Sequence, residues 1–168
     1  MQHHEIEPLI KVMANNIESQ LLIGQKETPV MIGIHTGGVW IANRLKTMLA
    51  IDEPLGELNI AFYRDDFTKI GIHPEVKPSC LPFEVEGRHI ILVDDVLQSG
   101  RTIRAALNEI FDYGRPASVM LVVLVERGGR ELPIQADVAG MKMDLPANQH
   151  IKLSGPEQLN LKTIVVEK

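Results

Sequence analysis

Residues Ile90 to Thr102, reading Ile-Ile-Leu-Val-Asp-Asp-Val-Leu-Gln-Ser-Gly-Arg-Thr, constrain this chain more than any other stretch. Four apolar residues run into two adjacent carboxylates, then into a short loop of small and hydroxyl residues, then into an amphipathic segment from about Ile103. That order predicts strand, loop, helix. An uninterrupted apolar run fits a strand buried in a parallel sheet, and the loop after it sits where open α/β sheets place their ligands. The backbone N–H groups of Gln98 to Thr102, at the start of the next helix, can cradle a phosphate with help from the hydroxyls of Ser99 and Thr102. Asp94 and Asp95 would repel that same phosphate. The pair therefore suggests a ligand that also carries a hydroxyl-rich group, which is to say a phosphorylated sugar.

The rest of the chain supplies alternating helices and strands. Ile6, Leu9, Ile10, Met13, Ile17 and Leu21 recur at helical spacing, with Gly24 as a stop. Val30 to Ile34 is a strand candidate, followed by the turn His35-Thr36-Gly37-Gly38 and a helix with Ile41, Leu45, Met48 and Leu49 on one face. This second strand, glycine-rich turn and helix again exposes N–H groups at a helix start, so a second anion site is expected there. Trp40 reads as a packing residue, because its helix needs bulk against the core.

Leu58, Ile60 and Phe62 alternate as in a half-buried strand, and a long segment from Arg64 to about Val85, punctuated by Gly71, Pro74, Pro78 and Pro82, reads as loop or hairpin. Asp65 and Asp66 carry only a weak metal signal. Ile103, Leu107, Ile110 and Phe111 form the stripe of the helix after the central motif, which ends near Gly114. Val119 to Val125 is another buried strand, a short strand follows from Ala136 to Ala139, and Met141 to Pro146 reads as irregular.

With 168 residues, 45% hydrophobic and 23% charged, the chain has the size and balance of one domain spanning 1–168. No apolar stretch is long enough to span a membrane and Met1 to Glu5 lacks the pattern of a secretory signal, which leads to the expectation of a cytoplasmic protein. Cys80 is the single cysteine, so an intramolecular disulfide and a cysteine zinc cluster are excluded. The six histidines show no metal-ligand spacing. A net charge of -5 disfavours a polyanion partner unless basic residues gather on one face, for which Arg101, Arg104, Arg115, Arg127 and Arg130 are the candidates.

The segment Ile90 to Thr102 resembles the signature loop of the type I phosphoribosyltransferases, which binds 5-phosphoribosyl-1-pyrophosphate (PRPP). Tyr63-Arg64-Asp65-Asp66, Ile90 to Thr102, Gly114-Arg115-Pro116 and Arg127 to Ile134 stand in the order and spacing of one family. Over nearly its whole length the chain is similar to the bifunctional pyrimidine operon regulators and uracil phosphoribosyltransferases. The resemblance implies an α/β fold, a mostly parallel central sheet flanked by helices with a small hood, in which 64–86 is a flexible flap and 140–168 joins the N-terminal region in the hood.

It further implies a reaction of PRPP with uracil giving UMP and pyrophosphate, with Mg2+ as cofactor and no side chain assigned as its direct ligand. Asp94 and Asp95 are the expected catalytic pair, held against the ribose hydroxyls or their bound metal. Val96, Leu97, Gln98, Ser99, Gly100, Arg101 and Thr102 are expected to anchor the 5-phosphate, and His35, Thr36, Gly37 and Gly38 the pyrophosphate. Arg64 reaches pyrophosphate from the flap, while Arg127 and Ile151 lie by the base and hood.

Members of the family often read Lys-Thr-Arg-Gly where this chain reads His35-Thr36-Gly37-Gly38, so Gly37→Arg is expected to restore a cation and tighten PRPP binding. The resemblance also implies a homo-oligomer that senses uridine nucleotides and binds pyrimidine leader mRNA. Two alternatives share the same loops: a non-catalytic nucleotide sensor acting on RNA or protein, and a purine or orotate phosphoribosyltransferase.

Overall fold

The computed structural model describes residues 5–25, 28–60 and 78–166. Five strands, β1 (Val30–Ile34), β2 (Gly56–Leu58), β3 (His89–Leu97), β4 (Ser118–Arg127) and β5 (Val138–Met143), form one sheet in the order β2-β1-β3-β4-β5, every neighbouring pair parallel. Helices α1 (Ile6–Ile23), α2 (Gly37–Met48) and α3 (Arg101–Tyr113) cover it, and a hairpin of β6 (Gln149–Ser154) and β7 (Asn160–Val165) stands apart from it.

Alternation along the strands decides which face each residue feeds. Met31, Ile91, Val93, Met120 and Val122 point to the face packed by α1 and α2, while Val30, Ile32, Ile90, Leu92, Leu121 and Val123 point to the face packed by α3. Both faces are thus apolar, which explains why β3 and β4 read as unbroken β-branched and aliphatic runs. Each such side chain removed from water contributes about 1.5–3 kcal/mol before conformational entropy is subtracted.

β1 runs on through α2 to β2 on one side, and β3 runs through α3 to β4 on the other. The strand order therefore reverses between β1 and β3, and the crevice beyond their C-terminal ends is the topological switch point where open α/β sheets bind ligands.

The crossover into α2 depends on two close backbone approaches. A Cβ on Gly33 would lie 2.7 Å from Val39 Cα, and a Cβ on Gly38 would lie 2.5 Å from the Val93 carbonyl oxygen and 3.0 Å from Asp94 Cα. Only hydrogen fits at either place, so α2 starts directly against the end of β3.

The hairpin is fastened at both ends. Leu153 and Leu161 are buried in the core shared with α1 and α2, and Gly155 lies so close to Trp40 that a Cβ there would be 2.9 Å from its Cε3. Arg44 of α2 pairs with Glu7 of α1 and donates to the Glu157 carbonyl at 3.0 Å. At the other end, the buried Arg127 donates from Nη1 to the Gln149 carbonyl at 2.8 Å. Trp40 is accordingly a packing residue.

Several boundaries differ from the sequence reading. β3 does not stop at Val93 but keeps pairing with β4 as far as Leu97↔Glu126, because Leu97 is buried on the α3 face and β4 is long enough to hold it. Met141 to Met143, read as irregular, extend β5 by pairing with Val125 to Arg127. Residues 140–143 thus lie at the sheet edge, and the hairpin begins only at Gln149. Phe111 and Met48 point outward, 56% and 45% exposed, because Ile110 and Leu45 already fill the inward positions of their helices. The Tyr63 to Asp66 motif, Arg64 included, and the flap as far as residue 77 lie outside the described residues.

Gly38→Ala should lower stability by about 1–3 kcal/mol, read as a reduced urea midpoint at unchanged slope, because α2 must retreat from the Val93 carbonyl. Phe111→Ala should leave that midpoint nearly unchanged.

Candidate active site

Two helix starts and two carboxylates meet at the switch point. α2 begins at Gly37 and α3 at Arg101, each directly after a strand of the parallel sheet, so both present their first-turn N–H groups at the same edge. Asp94 and Asp95 stand between them, within β3 rather than in a loop. Such an arrangement offers two separate anion cradles with a carboxylate pair in the middle.

Asp94 is 2% exposed and accepts the Asp95 N–H at 2.9 Å through Oδ1. Asp95 is half-buried and accepts the Val96 N–H at 2.9 Å, also through Oδ1. Each carboxylate is therefore oriented by the backbone next to it. Asp95 turns toward α2, where its Cγ and Cβ would stand 2.8 and 2.9 Å from a Cβ on Gly37. Gly37 makes room for Asp95, and an arginine there would displace the carboxylate before it could reach an anion. The expectation that Gly37→Arg tightens PRPP binding therefore requires the Asp95 side chain to turn aside from α2.

The turn between β3 and α3 is reduced to Gln98, Ser99 and Gly100, since Val96 and Leu97 belong to the strand and Arg101 and Thr102 to the helix. The carbonyls of Gln98 and Ser99 are taken by the segment after β4, and that of Gly100 by the Arg104 N–H. Ser99 accepts from the Glu131 and Leu132 N–H groups at 3.0 and 3.1 Å, and Gln98 accepts from Arg130. A planar trans peptide aims its N–H opposite to its carbonyl. The Ser99 and Gly100 N–H groups are consequently directed away from that segment, as a phosphate cradle requires.

Gly100 adopts φ of 93°, in the left-handed region, which lets the chain turn from strand into helix within three residues. Ser99 Oγ accepts the Arg101 N–H at 3.2 Å, Arg101 Nε donates to Glu131 at 2.6 Å, and Arg130 also pairs with Glu126 at 2.8 Å.

At the first loop, the His35–Thr36 peptide is cis, His35 is half-buried and Thr36 exposed. His35 Nε2 lies 2.7 Å from Glu57 Oε2 on β2. Sequence reading singled out His35 but not Glu57. An acidic residue in a short alternating strand carries no signal of the histidine that the sheet register brings beside it.

Arg127 is 4% exposed and uses Nη1 on the Gln149 carbonyl, while its Nε is buried without a hydrogen-bond partner among the described residues. Ile151 is half-buried, opposite Thr163 in the hairpin and packed on the α1–α2 core. The structure thus brings Asp94, Asp95, the 98–102 turn and the 35–38 turn together. Arg127 and Ile151 lie behind them at the junction with the hairpin.

For a divalent cation the donors are hard carboxylate oxygens, which suit Mg2+. Among the described residues no three His, Cys, Asp or Glu side chains converge into a cage. Of the two acids, Asp95 is half-buried and Asp94 only 2% exposed, so Asp95 is the better placed to reach a Mg2+ at this edge.

Of the five candidate arginines, Arg101 and Arg130 flank the 98–100 turn and Arg104 follows one helical turn after Arg101. Arg127 is buried, Arg101 and Arg130 are engaged with carboxylates, and Arg115 lies past the far end of the 13-residue α3, about 20 Å from Arg101 by helix rise.

The phosphoribosyl transferase domain family matches residues 1–153 of this chain. Bifunctional protein PyrR of Nitrosococcus oceani is 61% identical over 156 residues, covering 92% of this chain and 88% of the relative. Bifunctional protein PyrR of Pseudomonas aeruginosa strain LESB58 is 54% identical over 158 residues, covering 94% and 93%. Among solved structures, the hypoxanthine phosphoribosyltransferase of Trypanosoma cruzi in complex with the product IMP superposes with a TM-score of 0.64 at 20% identity, over 87% of this chain and 78% of that one. The purine phosphoribosyltransferase of Pyrococcus horikoshii Ot3 gives 0.59 at 19% identity over 82% of each chain. At such identities these two establish the fold alone, whereas the sequence relatives go further: the chain belongs to the phosphoribosyl transferase domain family and, within it, to the bifunctional PyrR proteins.

Proposed function

We propose that the protein transfers the phosphoribosyl group of PRPP to uracil, giving UMP and pyrophosphate, and regulates pyrimidine gene expression in the cytoplasm by sensing uridine nucleotides. The observation that carries this reading is the convergence of two helix starts on a backbone-oriented carboxylate pair, in a chain 61% identical to a bifunctional PyrR protein. Uracil as the base rests on the motif resemblance and the PyrR relatives. The purine phosphoribosyltransferases share only the fold, so they do not favour a purine.

In this reading the 5-phosphate rests on the N–H groups of Ser99 to Thr102, and the pyrophosphate on the turn His35 to Gly38. These two sites hold PRPP at both ends, with C1′ of the ribose between them and beside Asp94 and Asp95. Uracil N1 forms a bond to C1′ as the C1′–O bond to pyrophosphate breaks, the electron pair leaving with pyrophosphate and the N1 proton passing to solvent.

Positive charge grows on the ribose in the transition state, and the two fixed carboxylates stabilise it without reorganising. Bound Mg2+ would shield the charge of the leaving pyrophosphate. The hairpin β6–β7 serves as a hood over the base, with Ile151 on its inner side and Arg127 holding its root. Arg64 is assigned to the pyrophosphate, whose oxygens suit its guanidinium as a fork donor.

The protein incubated with PRPP, uracil and Mg2+ should produce UMP; no UMP at high protein concentration would instead favour the non-catalytic sensor, and faster use of hypoxanthine or orotate a different base. Asp94→Asn and Asp95→Asn retain the oxygens that accept the Asp95 and Val96 N–H groups but lose charge. Each should cut kcat by about 100-fold or more while shifting stability by about 1 kcal/mol. Unchanged turnover would remove the acids from the chemistry.

For the regulatory activity, affinity for the pyrimidine leader transcript should rise with UMP and fall with salt. Insensitivity of that binding to both UMP and salt would count against the regulatory reading.

A further inference from the structure

His35 is the one residue of the turn 35–38 with an ionisable side chain, and the edge strand holds it. Its N–H donates to the Leu58 carbonyl at 2.8 Å, and its Nε2 stands 2.7 Å from Glu57 Oε2. Both backbones are fixed independently of this side-chain contact. β2 pairs in register with β1, Glu57 lying opposite Gly33, and Glu57 exchanges two further backbone hydrogen bonds with Cys80, each 2.8 Å. The fold therefore does not need the contact to hold β2 in place.

The side chains are 17% and 38% exposed, so the pair is not closed off in the core. A carboxylate only accepts, so the ring nitrogen facing it carries the proton, and the partner fixes both the tautomer and the ring plane.

Resting on the phosphoribosyl reading of the site, we infer that Glu57 is a positioning residue for the pyrophosphate turn. Its carboxylate accepts the Nε2–H of His35 and locks the ring, and with it the first residue of the turn, in the geometry that receives pyrophosphate. The acceptor oxygen, and not the negative charge, carries this role, because a bare carboxylate beside an anion site would repel the ligand. Glu57 touches neither PRPP nor the reacting atoms. It acts through His35.

The test is calorimetric titration with Mg2+ and inorganic pyrophosphate, alongside steady-state kinetics in PRPP and uracil. Glu57→Ala should weaken pyrophosphate binding and raise KM for PRPP by about tenfold, with kcat and KM for uracil within about twofold of wild type. Glu57→Gln, whose amide oxygen still accepts, should restore most of the loss. In a His35→Ala background the Glu57→Ala effect should vanish, as expected of two residues acting as one unit. Nitrogen-15 spectra of labelled histidine should show a slowly exchanging Nε2–H proton on His35 that is lost in Glu57→Ala.

Equal or tighter pyrophosphate binding by Glu57→Ala, or a full effect persisting without His35, overturns the inference while leaving the transferase reading intact. If Glu57→Ala does not fold, Glu57→Asp, one methylene shorter, takes its place with the same expected direction. A wild-type protein that binds neither PRPP nor pyrophosphate overturns both.

Discussion

The contact between the first turn of α2 and the end of β3 is the constraint on which the site depends. Gly38 lies against the Val93 carbonyl and Asp94 Cα, and Gly37 against the side chain of Asp95, so no side chain separates the helix from the strand. This brings one helix start next to the carboxylates that the other helix start follows in sequence. Without the two glycines the two helix starts would move apart.

Around that contact, backbone rather than charged side chains does most of the arranging. Asp94 and Asp95 are oriented by the N–H groups of the next residues, and the 98–100 turn by hydrogen bonds from the 130–132 segment to its carbonyls. Groups fixed in this way are already directed when ligand arrives, so little reorganisation opposes charge development in the reaction. The ion pairs of Arg101 and Arg130 at the rim are partly exposed and add little to stability by themselves. Of the two, the Arg101–Glu131 pair joins the segment after β4 to the start of α3.

Alternating helices and strands could be read from hydrophobic period alone, and α1, β1, α2, β3 and β4 appear where that period places them. Ends were less accessible. The ladder with β4 carried β3 through its two acids to Leu97, because pairing depends on the length of the neighbouring strand and not on local polarity. Phe111 looked inward by spacing, yet Ile110 had already taken the inward position. A helix of this pitch has room for one of two adjacent apolar residues at the core.

For the site, the strand-turn-helix order of Ile90 to Thr102 and the Gly-Gly turn after Ile34 were enough to single out Asp94, Asp95 and both turns as candidates, since each lies where a parallel strand feeds a helix. What the sequence by itself determined is this set of local units and the family to which their spacing belongs. Which units face one another was decided by the tertiary structure. The parallel register put Glu57 beside His35, the close packing of α2 put Asp95 over Gly37, and the fold of the hairpin buried Arg127 under Gln149. The reason is physical: a side chain's type is written at one position, but its partner is set by sheet order and backbone approach, which join residues far apart in the chain.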